Sequence, residues 1–175
     1  MPGKITDDIQ GLVDILQGTQ DRDIYVTSGG FDPMHVGHLR CIQGTVKLAN
    51  NPDKYPSKHT GIVVVIVNGD GFLKRKKGYA FMPHEERMEI IAGIEGVDYV
   101  VGWDDGSQTV TGAIAIIHPN YFTKGGDRVD ADTVPEFKLC SDIGCKVIFN
   151  VGGEKVQSSS ELVDFASQHT NGYGT

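Results

Sequence analysis

Two histidines three positions apart, His35 and His38, have the residue type and spacing in this sequence that best suit chemistry. They stand in the segment GGFDPMHVGHL, after the β-rich run DIYVTS, where a strand is expected to turn into a helix. Both imidazoles then share one face of the first helical turn, and Gly29 and Gly30 let backbone N–H groups approach an anion. Gly37 lies between the two histidines and has no side chain, so we expect it to leave room for a bulky ligand. The pattern suits phosphate oxygens better than a metal ion.

A basic run later in the chain supports the same chemistry. Lys74, Lys76 and Lys77 belong to KRKK, four consecutive cations in a chain whose formal net charge is −7. Alone, such a run is equally well a solvated loop, but beside a phosphate site it predicts a mobile clamp on a triphosphate or pyrophosphate. Asp70, ahead of the run, is predicted to contact the acceptor substrate. For Arg87, in HEER, two alternatives stay open: a substrate contact or a structural ion pair with a carboxylate.

Two further segments add candidate contacts to phosphates and hydroxyls. In FTKGGDR, Lys124 offers a cation, Gly125 and Gly126 allow close backbone approach to a base or sugar, and Asp127 can accept hydrogen bonds from hydroxyls. In QSSSELV, three hydroxyls start the final predicted helix. Capping explains one of them, and the positive helix end makes the others candidates for binding phosphate. These serines are Ser158, Ser159 and Ser160.

Alternating strands and helices must position these segments. The pattern predicts a lead helix within residues 1–20, capped by Thr6, and five strand–helix units over 21–170, in one domain that covers 1–175. This alternation indicates an α/β fold, a Rossmann-like five-stranded parallel sheet with helices on both faces. GIVVVIVN suits a strand that is buried on both faces, and 69–82 is predicted to be a glycine-rich basic loop.

The unusual loops each follow a predicted strand. Parallel strands place their carboxyl ends at one edge of a sheet, and ligands of such folds bind in the crevice there. Asp70, the 69–82 loop and the K-G-G-D loop are expected to face the acceptor together. We therefore expect one site built from four loops, residues 29–34, 69–82, 124–130 and 152–157.

The composition excludes several classes of protein. A net charge of −7 argues against bulk binding to nucleic acid or to an anionic membrane, so a phosphate-rich ligand needs a local basic site. The longest apolar run, GIVVVIV, is too short to span a membrane, and the N-terminus lacks the pattern of a signal peptide, which together predict a cytoplasmic protein. Cys41, Cys140 and Cys145 match no zinc pattern and are expected to be reduced residues packed as small hydrophobes.

Four segments together resemble a known family. GGFDPMHVGHL resembles the signature of the HxGH nucleotidylyltransferase superfamily, which includes the cytidylyltransferases and several adenylyltransferases. VNGDGFLKRKKGYAFMPHEER is similar to the corresponding part of glycerol-3-phosphate cytidylyltransferases and ADP-heptose synthases. FTKGGDR resembles the K-G-G-D loop of the ADP-heptose synthases, and EKVQSSSELV resembles the closing motif of the superfamily. The segments occur in the family's order and span most of residues 23–165.

The resemblance implies an enzyme that joins a nucleoside triphosphate to a small phosphorylated acceptor and releases pyrophosphate. It implies that His35 and His38 contact the triphosphate and stabilise charge in the transition state. It also implies that Phe31, with the two glycines before it, supplies close backbone contacts and that Asp32 shapes the loop. Magnesium is expected to bridge the phosphates, held mainly by substrate oxygens and water without a dedicated protein ligand. A homodimer is also envisaged.

The nucleotide and the acceptor stay open between related types. FTKGGDR favours ATP and a sugar or polyol phosphate, with heptose phosphate as the nearest analogy. KRKKGYAF favours CTP and glycerol phosphate, although Lys155 stands where that type has an arginine. GGFDPMHVGHL with SSSELV is also similar to pantetheine-phosphate and nicotinamide-mononucleotide adenylyltransferases. The alternative from a different class is a nucleotide-binding module without turnover.

Overall fold

A parallel sheet forms the centre of the protein. The computed structural model describes residues 2–19, 21–56, 59–126 and 134–169, and within these ranges the sheet has six strands. The strands are β1 (Lys4–Thr6), β2 (Ile24–Gly29), β3 (Ile62–Asn68), β4 (Tyr99–Trp103), β5 (Tyr121–Thr123) and β6 (Lys146–Ile148). Their spatial order is β1-β4-β3-β2-β5-β6, and every neighbouring pair runs parallel.

Helices cover both faces of this sheet. Among the described residues they are α1 (Ile9–Gln17), α2 (Val36–Ala49), α3 (Asp70–Lys77), α4 (His84–Ala92), α5 (Thr111–Ile117), α6 (Phe137–Ile143) and α7 (Ser159–His169). None of these helices is long and apolar enough to cross a membrane.

Strand β3 explains why both faces must be covered, because all of its residues are buried. Val64 and Ile66 belong to a core shared with α1, α5 and α6, whereas Val63 and Val65 belong to a second core shared with α2 and α4. Successive side chains of a strand point to opposite faces, so an uninterrupted apolar strand needs helices on each. The predicted α/β fold, a parallel sheet between two helical layers, is therefore confirmed.

The strand count is six, and the prediction of five was wrong. β1 lies in the segment predicted as a lead helix and pairs with β4 at the edge of the sheet, with Ile5 opposite Val100. Thr6 ends β1, and the cap of α1 is Asp8, whose carboxylate accepts from the Gly11 N–H at 2.9 Å. A three-residue strand followed closely by a helix carries too short an alternation to be recognised in the sequence.

The basic segment 69–82, which was predicted as a loop, contains helix α3. Its last turn holds the four cations of KRKK, which the negative end of the helix dipole favours. Gly78 follows with φ of 90° and ends the helix in the left-handed conformation that glycine adopts without strain. The sequence pattern did not predict this helix because the glycines and like charges of GDGFLKRKKG are typical of a loop.

A cluster of aromatic rings closes the amino end of the sheet. Tyr25 of β2 stacks on Tyr121 of β5 with ring centroids 4.5 Å apart, and its hydroxyl lies 2.6 Å from that of Tyr55. Tyr55 donates to the Asp23 carboxylate at 2.6 Å, and the Lys54 ammonium lies 3.8 Å from the centroid of the Tyr121 ring. This tyrosine–lysine cluster fixes the polar segment after α2 over the end of the sheet opposite the carboxyl ends.

The order of the strands locates the expected ligand crevice. From β2 the chain moves outward through β3 and β4, and then it returns to the other side of β2 with β5 and β6. The loops after β3 and β5 therefore flank the loop after β2 from opposite sides. Ligands of open parallel sheets bind at such a reversal, outside the carboxyl ends of the strands.

The buried side chain of Arg87, in α4, joins the segments at this edge. Its Nη1 donates to the backbone oxygens of Gly30 at 2.8 Å and of Asn68 at 2.6 Å. Its Nε donates to the backbone oxygen of Met82 at 2.9 Å, and its Nη2 donates to the Asp70 carboxylate at 2.6 Å. Of the two alternatives that the sequence leaves open for Arg87, the structure contains the ion pair with a carboxylate.

We expect Arg87→Met to destabilise the fold by about 3 kcal/mol or more, because the change leaves a carboxylate and three backbone oxygens without their donor. Urea denaturation followed by circular dichroism measures this free energy of unfolding. The matched control is Arg75→Met, which removes a half-exposed ion pair with Asp104 and should cost less than about 1 kcal/mol. Equal losses in the two variants would contradict the joining role of Arg87.

Candidate active site

A cleft of about 530 Å³ opens at the carboxyl ends of β2, β3 and β5. This volume lies in the range of pockets that enclose a small-molecule ligand. Most of the residues predicted to contact phosphate or nucleotide line it, and these are Gly29, Gly30, Phe31, Asp32, His35, Gly37, His38, Lys76, Lys77, Lys124, Gly125, Gly126, Ser158, Ser159 and Ser160. Within the described residues, the four predicted loops thus meet at one site.

His35 and His38 stand at the start of α2, directly after the loop that follows β2. Their rings stack with centroids 3.7 Å apart and planes 20° from parallel. Nδ1 of His35 accepts from the Gly37 N–H at 3.1 Å, and Nδ1 of His38 accepts from the His35 N–H at 3.2 Å. Because an accepting ring nitrogen carries no proton, Nε2 is the protonated atom of each neutral ring and acts as a hydrogen-bond donor. The reciprocal caps therefore fix both the rings and their tautomers.

Packing around the two histidines holds the rings in place. A Cβ atom on Gly37 would lie 2.9 Å from Cε1 of His35, so the space at Gly37, which we predict to admit a ligand, accommodates the His35 ring. Phe31 is buried at φ of 53° and sets its ring edge-on against His38, with centroids 5.2 Å apart. A Cβ atom on Gly29 would lie 3.0 Å from that phenyl ring. The small residues of the motif are thus required by its own aromatic side chains.

Asp32 lies buried beneath the cleft and joins two loops. Its carboxylate accepts from the N–H groups of Phe81 and Met82, each at 2.6 Å. The Lys77 ammonium donates to the backbone oxygen of Asp32 at 2.8 Å and lies 3.2 Å from its carboxylate. These contacts tie the loop after β2 to the segment before α4. They also engage Lys77, a predicted substrate contact, with a buried carboxylate.

The remaining predicted residues of α3 divide by position. Lys74 and Lys76 are both exposed, but only Lys76 lines the cleft. Asp70, the first residue of α3, accepts from the buried guanidinium of Arg87 and lies outside the cleft wall. Arg75 donates to the Asp104 carboxylate and so fixes α3 against the segment after β4. Neighbouring cations on one short helix therefore have different surroundings.

A second helix begins at the cleft. Ser159, the first residue of α7, donates from its hydroxyl to the backbone oxygen of Pro33 at 2.7 Å and so joins α7 to the loop after β2. The Ser158 hydroxyl accepts from the Glu161 N–H at 3.4 Å, the capping contact that was predicted for one serine. Helices α2 and α7 both direct their N-terminal turns to this cleft, where the positive ends of their dipoles favour an anion.

The wall on the β5 side consists of main chain. A Cβ atom on Gly126 would lie 1.9 Å from the backbone oxygen of Gly153, so the loops after β5 and β6 touch without side chains between them. Asp127, the next residue of the K-G-G-D loop, lies outside the described residues. Because β3 and β5 flank β2, Lys124–Gly126 and the 69–82 segment lie on opposite sides of the histidines. Both segments nevertheless line the one cleft, and their common placement against one acceptor stays a prediction.

The cleft is basic although the chain is acidic. Four lysines and two carboxylates line it: Lys76, Lys77, Lys124, Lys155, Asp32 and Glu154. The chain as a whole has a formal net charge of −7, so positive charge is concentrated at this edge of the sheet. The cleft therefore provides the local basic site that a phosphate-rich ligand needs in an acidic protein.

Several wall residues are absent from the sequence prediction. Thr27 of β2 and Asn68, the last residue of β3, belong to strands that the apolar pattern assigns to the core. Lys155 was noted in the sequence only as a departure from a related type, and it lies near His35. The signal that could have found Asn68 is its place at the carboxyl end of a central parallel strand.

Comparison with known proteins identifies the family. The model of the cytidylyltransferase-like family matches residues 26–163, which include every residue of the cleft wall. The chain belongs to the cytidylyltransferase-like family. The resemblance to the HxGH nucleotidylyltransferases is thereby confirmed, and with it the prediction of a nucleotidyltransferase domain.

Relatives and a solved structure agree with this assignment. The bifunctional protein HldE of Methylococcus capsulatus is 30% identical over 149 residues, which are 84% of this chain and 26% of that protein. HldE of Hahella chejuensis is 31% identical over 133 residues, 75% of this chain and 23% of that protein. The chain thus spans about a quarter of the length of these curated relatives. The lipopolysaccharide core biosynthesis protein from Thermoplasma volcanium shares the fold, with a TM-score of 0.56 and 19% identity over 73% of this chain and 95% of that one.

The electrostatic surroundings of His35 favour its neutral form. Burial lowers the pKa of His35 below the ordinary histidine value, and the nearby Lys155 ammonium lowers this pKa further. The neutral ring keeps Nδ1 as the acceptor for Gly37 and Nε2 as a donor. The unfolded chain binds the same proton more readily, so the stability linked to His35 is present above the ordinary histidine pKa and is lost as the pH falls below it.

An NMR titration should place the midpoint of His35 below about 6.5, the value of an unperturbed histidine. Lys155→Gln should raise that midpoint but leave it below the ordinary value, because the burial remains. Lys47→Gln, at the far end of α2, is the matched control and should leave the midpoint unchanged. A His35 midpoint above the ordinary value would contradict a neutral ring at neutral pH.

Proposed function

We propose that the protein transfers the adenylyl group of ATP to the phosphate of a sugar or polyol phosphate and releases pyrophosphate. Membership in the cytidylyltransferase-like family supports the reaction class. The similarity to HldE proteins and the resemblance of FTKGGDR to the ADP-heptose synthases support ATP and a heptose-like sugar phosphate. The product is then a nucleoside diphosphate sugar.

The observation that carries this proposal is the stacked pair His35 and His38 between two helix N-termini. The caps leave Nε2 of each neutral ring as a donor, and both helices direct the positive ends of their dipoles to the same cleft. Donors fixed in advance around a reacting phosphorus stabilise the charge that develops there. Phosphoryl-type transfer needs such placement and neutralisation more than it needs a nucleophilic side chain.

In the proposed step, a phosphate oxygen of the acceptor attacks the α-phosphorus of ATP. A new P–O bond forms as the bond from this phosphorus to the bridging oxygen of pyrophosphate breaks, and that electron pair leaves with pyrophosphate. The acceptor phosphate is already an anion, so the attack needs no general base. His35 and His38 donate to oxygens of the α-phosphate, and the lysines of the cleft neutralise the triphosphate and its leaving group.

The strand order supports a separate side of the histidines for each substrate. On the β5 side, the main-chain wall at Gly125 and Gly126 allows a flat base and a ribose to approach closely, and the start of α7 supplies donors for phosphate. On the β3 side, the cleft is bounded by the end of β3 and by Lys76 of α3. We therefore assign the nucleotide to the β5 side and the acceptor to the β3 side.

Magnesium belongs to the substrate in this proposal. Within the described ranges, no group of three His, Cys, Asp or Glu side chains could hold a metal ion. The buried carboxylate of the wall, Asp32, is engaged by Lys77 and by two backbone N–H groups. In this proposal the ion enters with ATP, bound by phosphate oxygens and water, as is usual for this cation.

Lys76 and Lys74 offer a paired test of the basic helix. Lys76→Gln should lower catalytic efficiency by about tenfold or more, because it removes a charge-assisted contact to phosphate from the cleft wall. Lys74→Gln removes the same charge two residues away, outside the cleft wall, and should change efficiency by less than about twofold. Pyrophosphate release measures both. Equal losses would mean that the helix acts through its summed charge and that the position of Lys76 is irrelevant.

The reaction itself is tested by pyrophosphate release from ATP or CTP, with magnesium, against heptose 1-phosphate, mannose 1-phosphate, glycerol 3-phosphate and pantetheine phosphate. We expect turnover with ATP and a sugar phosphate, and a loss of about a hundredfold or more in His38→Ala, since a fixed donor to the transition state is removed. Turnover restricted to CTP and glycerol 3-phosphate would overturn the nucleotide and the sugar. Turnover with pantetheine phosphate alone would overturn the acceptor class, and nucleotide binding without release would leave a binding module.

A further inference from the structure

Asn68, the last residue of β3, is a polar side chain of the cleft that the proposed chemistry does not use. It is only 6% exposed, it lines the cleft, and its Oδ1 accepts no hydrogen bond from the described residues. A buried amide oxygen without a donor is costly, so folded proteins keep few of them. A ligand that supplies the missing donor regains that cost on binding.

The protein groups around Asn68 are already committed. Arg87 donates from Nη1 to the backbone oxygen of Asn68 and directs its other bonds to Gly30, Met82 and Asp70. Trp103 is opposite Asn68 in the register of β3 and β4, and its buried indole Nε1 likewise has no partner among the described residues. The two side chains therefore do not satisfy each other, and the cleft that Asn68 lines is open to a donor from a ligand.

The chemistry of the amide selects the kind of ligand group. A phosphate offers only acceptor oxygens, and the cleft already meets these with histidine, lysine and backbone donors. A carboxamide both donates and accepts, and so does a hydroxyl group, which makes the two complementary. Asn68 terminates β3, and under the proposed function, on which this inference rests, that side holds the acceptor.

We propose that the Asn68 side chain binds a hydroxyl group of the acceptor and thereby determines specificity for polyhydroxylated phosphates. A site built to hydrogen-bond a hydroxyl discriminates against an analogue that lacks it, because the buried amide is then left unpaired. The phosphate of the acceptor is held by the cations of the cleft, so this contact selects the organic part of the molecule. Asn68 is a specificity residue and takes no part in the transfer of the nucleotidyl group.

The experiment compares Asn68→Leu, which keeps the size of the side chain without its polar atoms, with the parent protein. We expect the KM for mannose 1-phosphate to rise about tenfold, the upper range for one neutral hydrogen bond, with the KM for ATP within about twofold. Asn50→Leu, at the exposed far end of α2, and Trp103→Phe, which removes the indole N–H together with part of the ring, are the controls. Both should leave the KM for the acceptor unchanged.

Deoxy analogues of mannose 1-phosphate, each lacking one hydroxyl, complete the test. The parent protein should lose about tenfold on one analogue, and Asn68→Leu should lose nothing further on that analogue, because both changes remove the same contact. An unchanged acceptor KM in Asn68→Leu, or an equal rise in the KM for ATP, would overturn the assignment. If Asn68→Leu fails to fold, Asn68→Ser and the analogue series on the parent protein give the same decision.

Binding of ADP-mannose and ADP separates this inference from the proposed function. Calorimetry should give the parent protein a tighter Kd for ADP-mannose than for ADP, and Asn68→Leu should lose that difference while it keeps its affinity for ADP. Absence of the difference in the parent protein would count against a sugar acceptor and against the Asn68 contact. A difference that persists in Asn68→Leu would overturn the Asn68 contact alone.

Discussion

The shape of the cleft depends above all on one buried cation. The guanidinium of Arg87 is fully buried, so the chain must bring acceptors to its charge, and it does so with three backbone oxygens and one carboxylate. These acceptors belong to the loop after β2, the end of β3, the start of α3 and the segment before α4. The alternation of strands and helices brings such loops to one edge of the sheet, but the geometry of a single planar fork fixes the distances between them.

The two histidines obey a similar constraint on a smaller scale. The first N–H groups of a helix have no acceptor within that helix, and side-chain oxygens of Ser, Thr, Asp or Asn usually supply one. In α2, imidazole nitrogens of His35 and His38 serve instead, so the atoms that cap the helix and the atoms that face the cleft belong to the same rings. A neutral ring donates without adding net charge, and the neutralisation of phosphate is left to the lysines. Positioning and charge are thereby supplied by different residues.

Local patterns in the sequence were enough for much of this architecture. The uninterrupted apolar run of β3 predicted a strand between two helical layers, and the strand-then-loop rhythm predicted the convergence of the loops. The sequence did not predict β1, because three residues are too few to show a strand period. It did not predict α3, because clustered lysines and glycines are typical of a loop. The use of Lys77 by Asp32, and the place of Asn68 and Lys155 in the wall, follow from contacts between residues far apart in the chain. No local pattern encodes those contacts; the strand order, which places β3 and β5 on either side of β2, was equally inaccessible.

Helix α2 connects two ends of the sheet that differ in accessibility. It begins at the histidines and runs for 14 residues, a length of about 21 Å at 1.5 Å per residue. The tyrosine–lysine cluster covers the sheet near the C-terminal end of α2. The residues that follow the helix, Asn51–Asp53, are exposed. A fluorescent label, an affinity tag inserted in the chain or a covalent attachment to a solid support at that position would therefore leave the mouth of the cleft facing solvent. Asn51–Asp53 are therefore a suitable attachment site, because they lie at the end of the sheet opposite the cleft.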